Sequence, residues 1–193
     1  MRTKPDFTFF DSATLTRFEA NTLYRLLPST SIDQSEEVYS QIKSICNEKE
    51  IFHWIFEDIC PDGYPREMAV RFLRWANAGW EHQSHFVFIA VDQDQNIAGA
   101  YDIKSNDLEL AEIGYWVSKS HSGIASNSIE KIVEISKQAG YKKLFAQTRE
   151  GNHRSIKVLL RNGFGPNNDY LNKNGKCSNA FVLALKEDQE KSL

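Results

Sequence analysis

The chain has no long apolar run. Its longest, such as Phe86 to Val91, fall far short of the roughly 20 residues that cross a bilayer as a helix, so no membrane partner is expected. The first residues, Met-Arg-Thr-Lys-Pro-Asp, lack the apolar centre of a signal peptide. A basic excess is missing too. With 23 Lys and Arg against 26 Asp and Glu, the net charge of -3 offers a nucleic-acid partner no electrostatic support. Cysteine is scarce, with only Cys46, Cys60 and Cys177 at wide spacings and no C-x-x-C pair. That pattern fits a reducing cytoplasm and argues against a zinc site, so no metal is expected. Neither an internal repeat nor a low-complexity tract is present.

What is there is an ordinary globular composition, 41% hydrophobic and 25% charged over 193 residues, which excludes the disordered class and suits a single domain. The stretch from Ala111 to Phe164 organises the rest. Alternation at Leu108, Leu110, Ile113 and Tyr115, with aromatic and β-branched residues through Val117, predicts a strand with one buried face. After a polar turn the period changes at Gly123, because Ile129, Ile132, Val133 and Ala139 recur at helical spacing up to a Gly140 C-cap. A strand, a turn containing Ser and Gly, and then a helix aim unpaired backbone N–H groups and the positive end of the helix dipole at one point. An anion suits that point, a phosphate above all.

The first fifteen or so residues carry Phe7, Phe9 and Phe10 without a clear period. Thr22 to Leu27 reads as a first strand, and Ser29-Thr30-Ser31 offers N-caps for a helix running to Cys46. Residues 51–60 are dense in aromatics and close at Pro61-Asp62-Gly63. A second helix should start near Pro65 and run through Met68, Phe72, Trp75 and Ala76, with Gly79 near its end. Phe86–Val91 and Ile97–Ile103 make a hairpin around Asp92 to Asn96. Beyond Gly140 follow a strand over Lys143–Thr148, a helix over Asn152–Arg161, and strands near Asp169–Leu171 and Ala180–Leu185. Helices early, an antiparallel meander, then strand-helix-strand-helix amount to a mixed α/β or α+β sheet.

Four local matches carry a resemblance: Ala-Glu-Ile-Gly-Tyr-Trp-Val at 111–117, Gly-Ile-Ala-Ser-Asn-Ser-Ile at 123–129, Asn-His-Arg-Ser at 152–155, and Asn-Gly-Phe at 162–164. Together, in this order and at these separations, they make the chain similar to the Gcn5-related N-acetyltransferase (GNAT) superfamily. Within it the resemblance is to the branch that includes the RimJ/RimL-like ribosomal-protein N-terminal acetyltransferases. It covers residues 20–186, leaving a lead-in over 1–19 and a flexible tail over 187–193. The resemblance implies the acyl-CoA N-acyltransferase fold, an α/β (α+β) architecture with a mixed central sheet of about six to seven strands, splayed in the middle, and helices on both faces. Its central strand would be bulged and leave a V-shaped gap for the pantetheine arm of acetyl-CoA.

By that resemblance the backbone of Trp116, Val117 and Ser118 pairs with the arm, as an exposed sheet edge does. The N–H groups of Ser122, Gly123, Ile124, Ala125 and Ser126 seat the pyrophosphate, Asn152 bonds the pantetheine, and Ser155 lies near the sulfur. The implied partners are acetyl-CoA and an amine acceptor, either a peptide N-terminus or a small amine, with a homodimer left open. One departure stands out. The family's turn carries Arg or Gln where this chain has Ser120, within Ser120-His121-Ser122-Gly123-Ile124-Ala125, and the turn is two residues shorter than the Gln-Gly-Lys-Gly form. Fewer N–H groups then converge, and weakened donor affinity is the expectation. Acetyl transfer needs a base, an oxyanion stabiliser and an acid. Glu112 is the candidate base, the Val117 N–H the stabiliser, and Ser155 the acid, with Tyr170 behind it. Glu112 is equally readable as an exposed strand residue, and Asn152 and Ser155 as parts of a helix cap. His121 and His153 read as solvated loop residues, His53 as a neighbour of Trp54. Trp54, Phe56, Trp75 and Trp80 read as core, with an acceptor groove as the alternative. The competing function is a catalytically weakened binding protein on the same fold.

Overall fold

Strand β5 (Ala111–Val117) is where the sheet changes character. The computed structural model describes residues 3–17, 20–172 and 175–185. The other strands are β1 (Ala13–Arg17), β2 (Ala20–Pro28), β3 (Phe86–Val91), β4 (Ile97–Ile103), β6 (Lys143–Thr148), β7 (Gly165–Pro166) and β8 (Asn179–Ala184). They form one sheet in the order β1-β2-β3-β4-β5-β6-β8-β7. Among the described residues five α-helices accompany it: α1 (Glu36–Cys46), the single turn α2 (Lys49–Ile51), α3 (Arg66–His82), α4 (Ala125–Ala139) and α5 (His153–Arg161).

From β1 to β5 every pairing is antiparallel, and β5 matches β4 from Ile103↔Ile113 to Gly99↔Val117 without a break in register. On its other edge β5 meets β6 in parallel at Ala111↔Leu144 and Glu112↔Phe145 only. Toward Val117 the two strands part, so the sheet is splayed at its centre as expected. The bulge expected in the splayed strand lies elsewhere, between β3 and β4 at Ala90/Val91.

Both sheet faces are covered, which explains why β3 is one continuous apolar run rather than an alternating one. On one face Leu26, Phe88, Tyr101, Ile103 and Ile113 pack with Ile124, Ile129 and Ile132 around α4 and with Leu159 of α5. On the other, Val87, Ile89, Ala100 and Trp116 pack with Tyr39 and Ile42 of α1 and with Leu73 and Ala76 of α3. Among the described residues no helix is long and apolar enough to cross a membrane.

Several expectations need correction. The sheet has eight strands rather than six to seven, because the lead-in contributes β1, with Leu15 buried opposite Tyr24. Ser29–Ser31 is a 3-10 turn, and α1 starts later, where Ser35 Oγ accepts the Val38 N–H at 3.5 Å. The strand expected at 169–171 is a 3-10 turn over Asn168–Tyr170, held by the Asp169 N–H donating to Asn167 Oδ1 at 3.0 Å. Gly79 does lie near the end of α3, which closes at His82, and its role there is packing: a Cβ on it would lie 2.4 Å from the His85 ring. Gly140 caps α4 with φ +102°. The tail over 187–193 lies outside the described residues.

Candidate active site

Hydrogen-bond phase decides which backbone groups of β5 are free. The Lys104 N–H donates to Glu112 O at 2.8 Å and the Ser118 N–H to Ala98 O at 2.9 Å. Bonded pairs alternate along an antiparallel ladder, so Glu112, Gly114, Trp116 and Ser118 direct their backbone groups at β4. Tyr115 and Val117 direct theirs the other way, into the gap that β6 has left. Of the three residues expected to pair with a ligand arm, only Val117 therefore offers its backbone; Trp116 and Ser118 are committed to the sheet.

The chain then turns through Lys119–His121 into α4. Here the Ser122 N–H donates to Lys119 O at 3.2 Å, so Ser122 does not supply the amide expected of it. The first helical acceptor is Ile124 O, bonded by the Ser128 N–H at 2.9 Å. Among the described residues, no protein group accepts from the N–H groups of Gly123, Ile124, Ala125, Ser126 or Asn127. Gly123 has φ +102°, a left-handed conformation that favours glycine and lets the turn enter the helix. The Ile124 side chain is fully buried in the core and fixes the start of α4, so this residue can contribute only its amide.

Val117, Gly123, Ala125 and Ser126 line one cleft of about 1240 Å³ with Glu112, Asn152 and Ser155. Asn152 caps α5, its Oδ1 accepting the Ser155 N–H at 3.2 Å. Ser155 Oγ lies 2.8 Å from the Tyr115 hydroxyl, which burial pushes up to about 12, so the phenol stays protonated at ordinary pH. Glu112 is not a free strand carboxylate. Lys104 Nζ donates to its Oε1 at 2.6 Å. Burial opposes the charge on Lys104, but the Asp102 and Glu112 carboxylates outweigh it and hold the ammonium above its ordinary range.

Asp102 and Glu48 are cleft acids that the sequence alone did not mark. Asp102, on β4 opposite Gly114, has an Oδ1 that is buried without a hydrogen-bond partner. Burial pushes its carboxyl up, against the pull of the Lys104 charge and the Gly114 amide. A lone Asp in the apolar strand IAGAYDI, matched to a glycine on the next strand, was the available signal. Glu48 follows α1 and receives both the Ser118 hydroxyl and the Lys119 N–H at 2.6 Å, so it clasps the start of the turn. Nothing local in the sequence marks it.

Trp54, Phe56 and Trp75 line the cleft, whereas Trp80 is core, its Nε1 donating to Val87 O at 2.9 Å. The rings at 54 and 56 reach the cleft from a π-helical turn, Phe52–Phe56. His53 bonds Glu57 and packs edge-on against Trp54, and His121 bonds the Tyr24 hydroxyl at 3.2 Å outside the cleft. Tyr170 rests on Phe145 and does not line the cleft. Among the described residues no three His, Cys, Asp or Glu side chains group as metal ligands.

An open strand edge running into a row of free amides suits an extended ligand that carries an anionic group at one end. Residues 26–165 match the acetyltransferase (GNAT) domain family, and the chain belongs to it. RimJ of Mycobacterium smegmatis, solved with CoA-disulfide, is similar at 20% identity over 90% of this chain and 86% of that one, TM-score 0.67. An acetyltransferase of Salmonella typhimurium that modifies the N-terminal serine of ribosomal protein L7/L12 is similar at 17% over 86% and 97%, TM-score 0.65. Spermidine N-acetyltransferase of Vibrio cholerae, solved with CoA and spermine, is similar at 14% over 84% and 95%, TM-score 0.64. No curated protein sequence matches this chain.

Proposed function

We propose that the protein is an acetyl-CoA-dependent N-acetyltransferase that moves the acetyl group to a primary amine by direct attack, with both substrates bound. One observation carries this reading: the free edge of β5 at Val117 leads into the unpartnered amides from Gly123 to Asn127. Those amides and the α4 dipole would hold the pyrophosphate, and the α5 start at Asn152 would hold the arm. The Val117 N–H would polarise the thioester carbonyl. Ser155, hydrogen-bonded to a protonated Tyr115, is the acid beside the leaving sulfur, and a carboxylate in the cleft receives the amine's proton.

Thermal denaturation with added CoA tests the donor site. A ligand at 100 times its Kd stabilises by about 2.7 kcal/mol, which for a chain of this size raises Tm by roughly 5–10 °C. No shift at millimolar CoA would remove the donor and the reading with it. A second reading, a weakened binding protein, is favoured by the Glu48 clasp, since that carboxylate already occupies the Lys119 amide. Free-thiol release from acetyl-CoA with a panel of amines separates the two.

A further inference from the structure

The two carboxylates on the cleft floor are not equivalent. Glu112 is tied to Lys104, whose ammonium donates to its Oε1 at 2.6 Å, so its charge is already matched within the protein. Asp102 belongs to no ion pair, and its Oδ1 is buried without a hydrogen-bond partner among the described residues. Only Oδ1 is sealed off. It lies over Gly114, where a Cβ would come within 2.6 Å of it. Oδ2 is left to the cleft, which Asp102 lines. A buried carboxylate without a partner is costly unless something else supplies one.

Position along the sheet separates the acids further. Asp102 is in register with Gly114, three residues before Val117, which is roughly 10 Å along the strand. Glu112 is five residues before Val117, roughly 17 Å. The nearer spacing fits an amine standing between the carboxylate and an acyl group at the Val117 amide. Phe72, Trp75 and Trp116 flank the same space, with Trp75 held by the stacked His85 ring at 4.1 Å.

We propose that Asp102 seats the acceptor's ammonium and takes its proton, and that the acceptor is a primary amine on an apolar or aromatic body; this rests on the acetyltransferase reading of the cleft. The ammonium binds at Oδ2 and gives one proton to the carboxylate. The neutral amine's lone pair then forms the C–N bond as the C–S bond breaks. A second proton from nitrogen reaches the departing sulfur by way of Ser155 Oγ, leaving an amide and a thiol, and Asp102 returns its proton to solvent. The titratable groups facing Asp102 are Lys104, Glu112 and His85, and its raised carboxyl suits proton transfer nearer neutrality than a free aspartate would.

The test compares 2-phenylethylamine with its neutral isostere 2-phenylethanol by calorimetry on the full chain with CoA present, and follows acetyl transfer to the amine across pH. The wild type is expected to prefer the amine by about tenfold or more, the range of a charge-assisted hydrogen bond. Asp102→Asn, close in size, should cut that preference to within about threefold, raise KM for the amine and abolish the acidic limb of kcat/KM, with the CoA-induced Tm shift intact. Retention of the preference or of the limb in Asp102→Asn, or no preference in the wild type, would overturn the assignment. If CoA gives no shift, the donor reading fails by itself, while the amine-over-alcohol comparison still reports on Asp102.

Discussion

Gly114→Ala measures how tightly the Asp102 carboxylate is wedged against β5. The added Cβ would lie 2.6 Å from Oδ1 and 3.1 Å from Lys104 Cε, where ordinary contact begins at 3.4 Å, so the carboxylate must retreat by about 0.8 Å. Opposing this, replacing a strand glycine stabilises by roughly 0.5–1 kcal/mol through the unfolded chain's lost freedom. Overpacking of this kind costs about 1–3 kcal/mol, so the single variant is expected to be about 1 kcal/mol less stable than the wild type. In an Asp102→Ala background the clash is gone and only the gain remains. The same substitution should then stabilise by roughly 0.5–1 kcal/mol, which makes the coupling about 1.5–2 kcal/mol. Urea unfolding of the four proteins, with unchanged m-values, supplies the cycle. A coupling below about 0.5 kcal/mol would mean that the carboxylate has room to move and that Gly114 is not its seat.

Two further outcomes follow from the same cleft. Because burial holds the folded Asp102 carboxyl above its unfolded value, the native state binds more protons than the unfolded chain from about pH 4 upward, so its stability falls as pH rises through that window. Asp102→Asn removes this fall, and the Tm of the variant minus that of the wild type should grow from acid to neutral pH; a constant difference would refute it. Asn152→Ala loses the α5 cap at a cost of about 0.5–2 kcal/mol, whereas Asn152→Ser keeps the cap. If Asn152 also holds the donor arm, both variants shrink the CoA shift; a full shift in Asn152→Ser would leave Asn152 a cap alone.

Elements whose period the sequence carries without interruption emerged intact. Ile129, Ile132 and Ala139 mark α4, and Phe86–Val91 with Ile97–Ile103 mark the hairpin, because burial acts on every turn or every other residue. Short elements failed where a side-chain hydrogen bond decided the outcome, as Asn167 does at 168–170 and Ser35 does before α1. In the site, the turn into α4 was legible because glycine and helix start leave a local trace. Commitment of the Trp116 and Ser118 backbone to β4 was not, since ladder phase is a property of two strands. Glu48 was beyond reach for the same reason: its partners lie some seventy positions away.

The π-helical turn at Phe52–Phe56, closed by the Glu57 N–H on Phe52 O at 2.8 Å, continues directly from α2 and holds one residue more than an α-turn would. Deleting any single position within it would relax the coil to its usual pitch and swing everything after it by about 100° around the axis. The wall that Trp54 and Phe56 present to the cleft is thus set by a count of residues as much as by their identity.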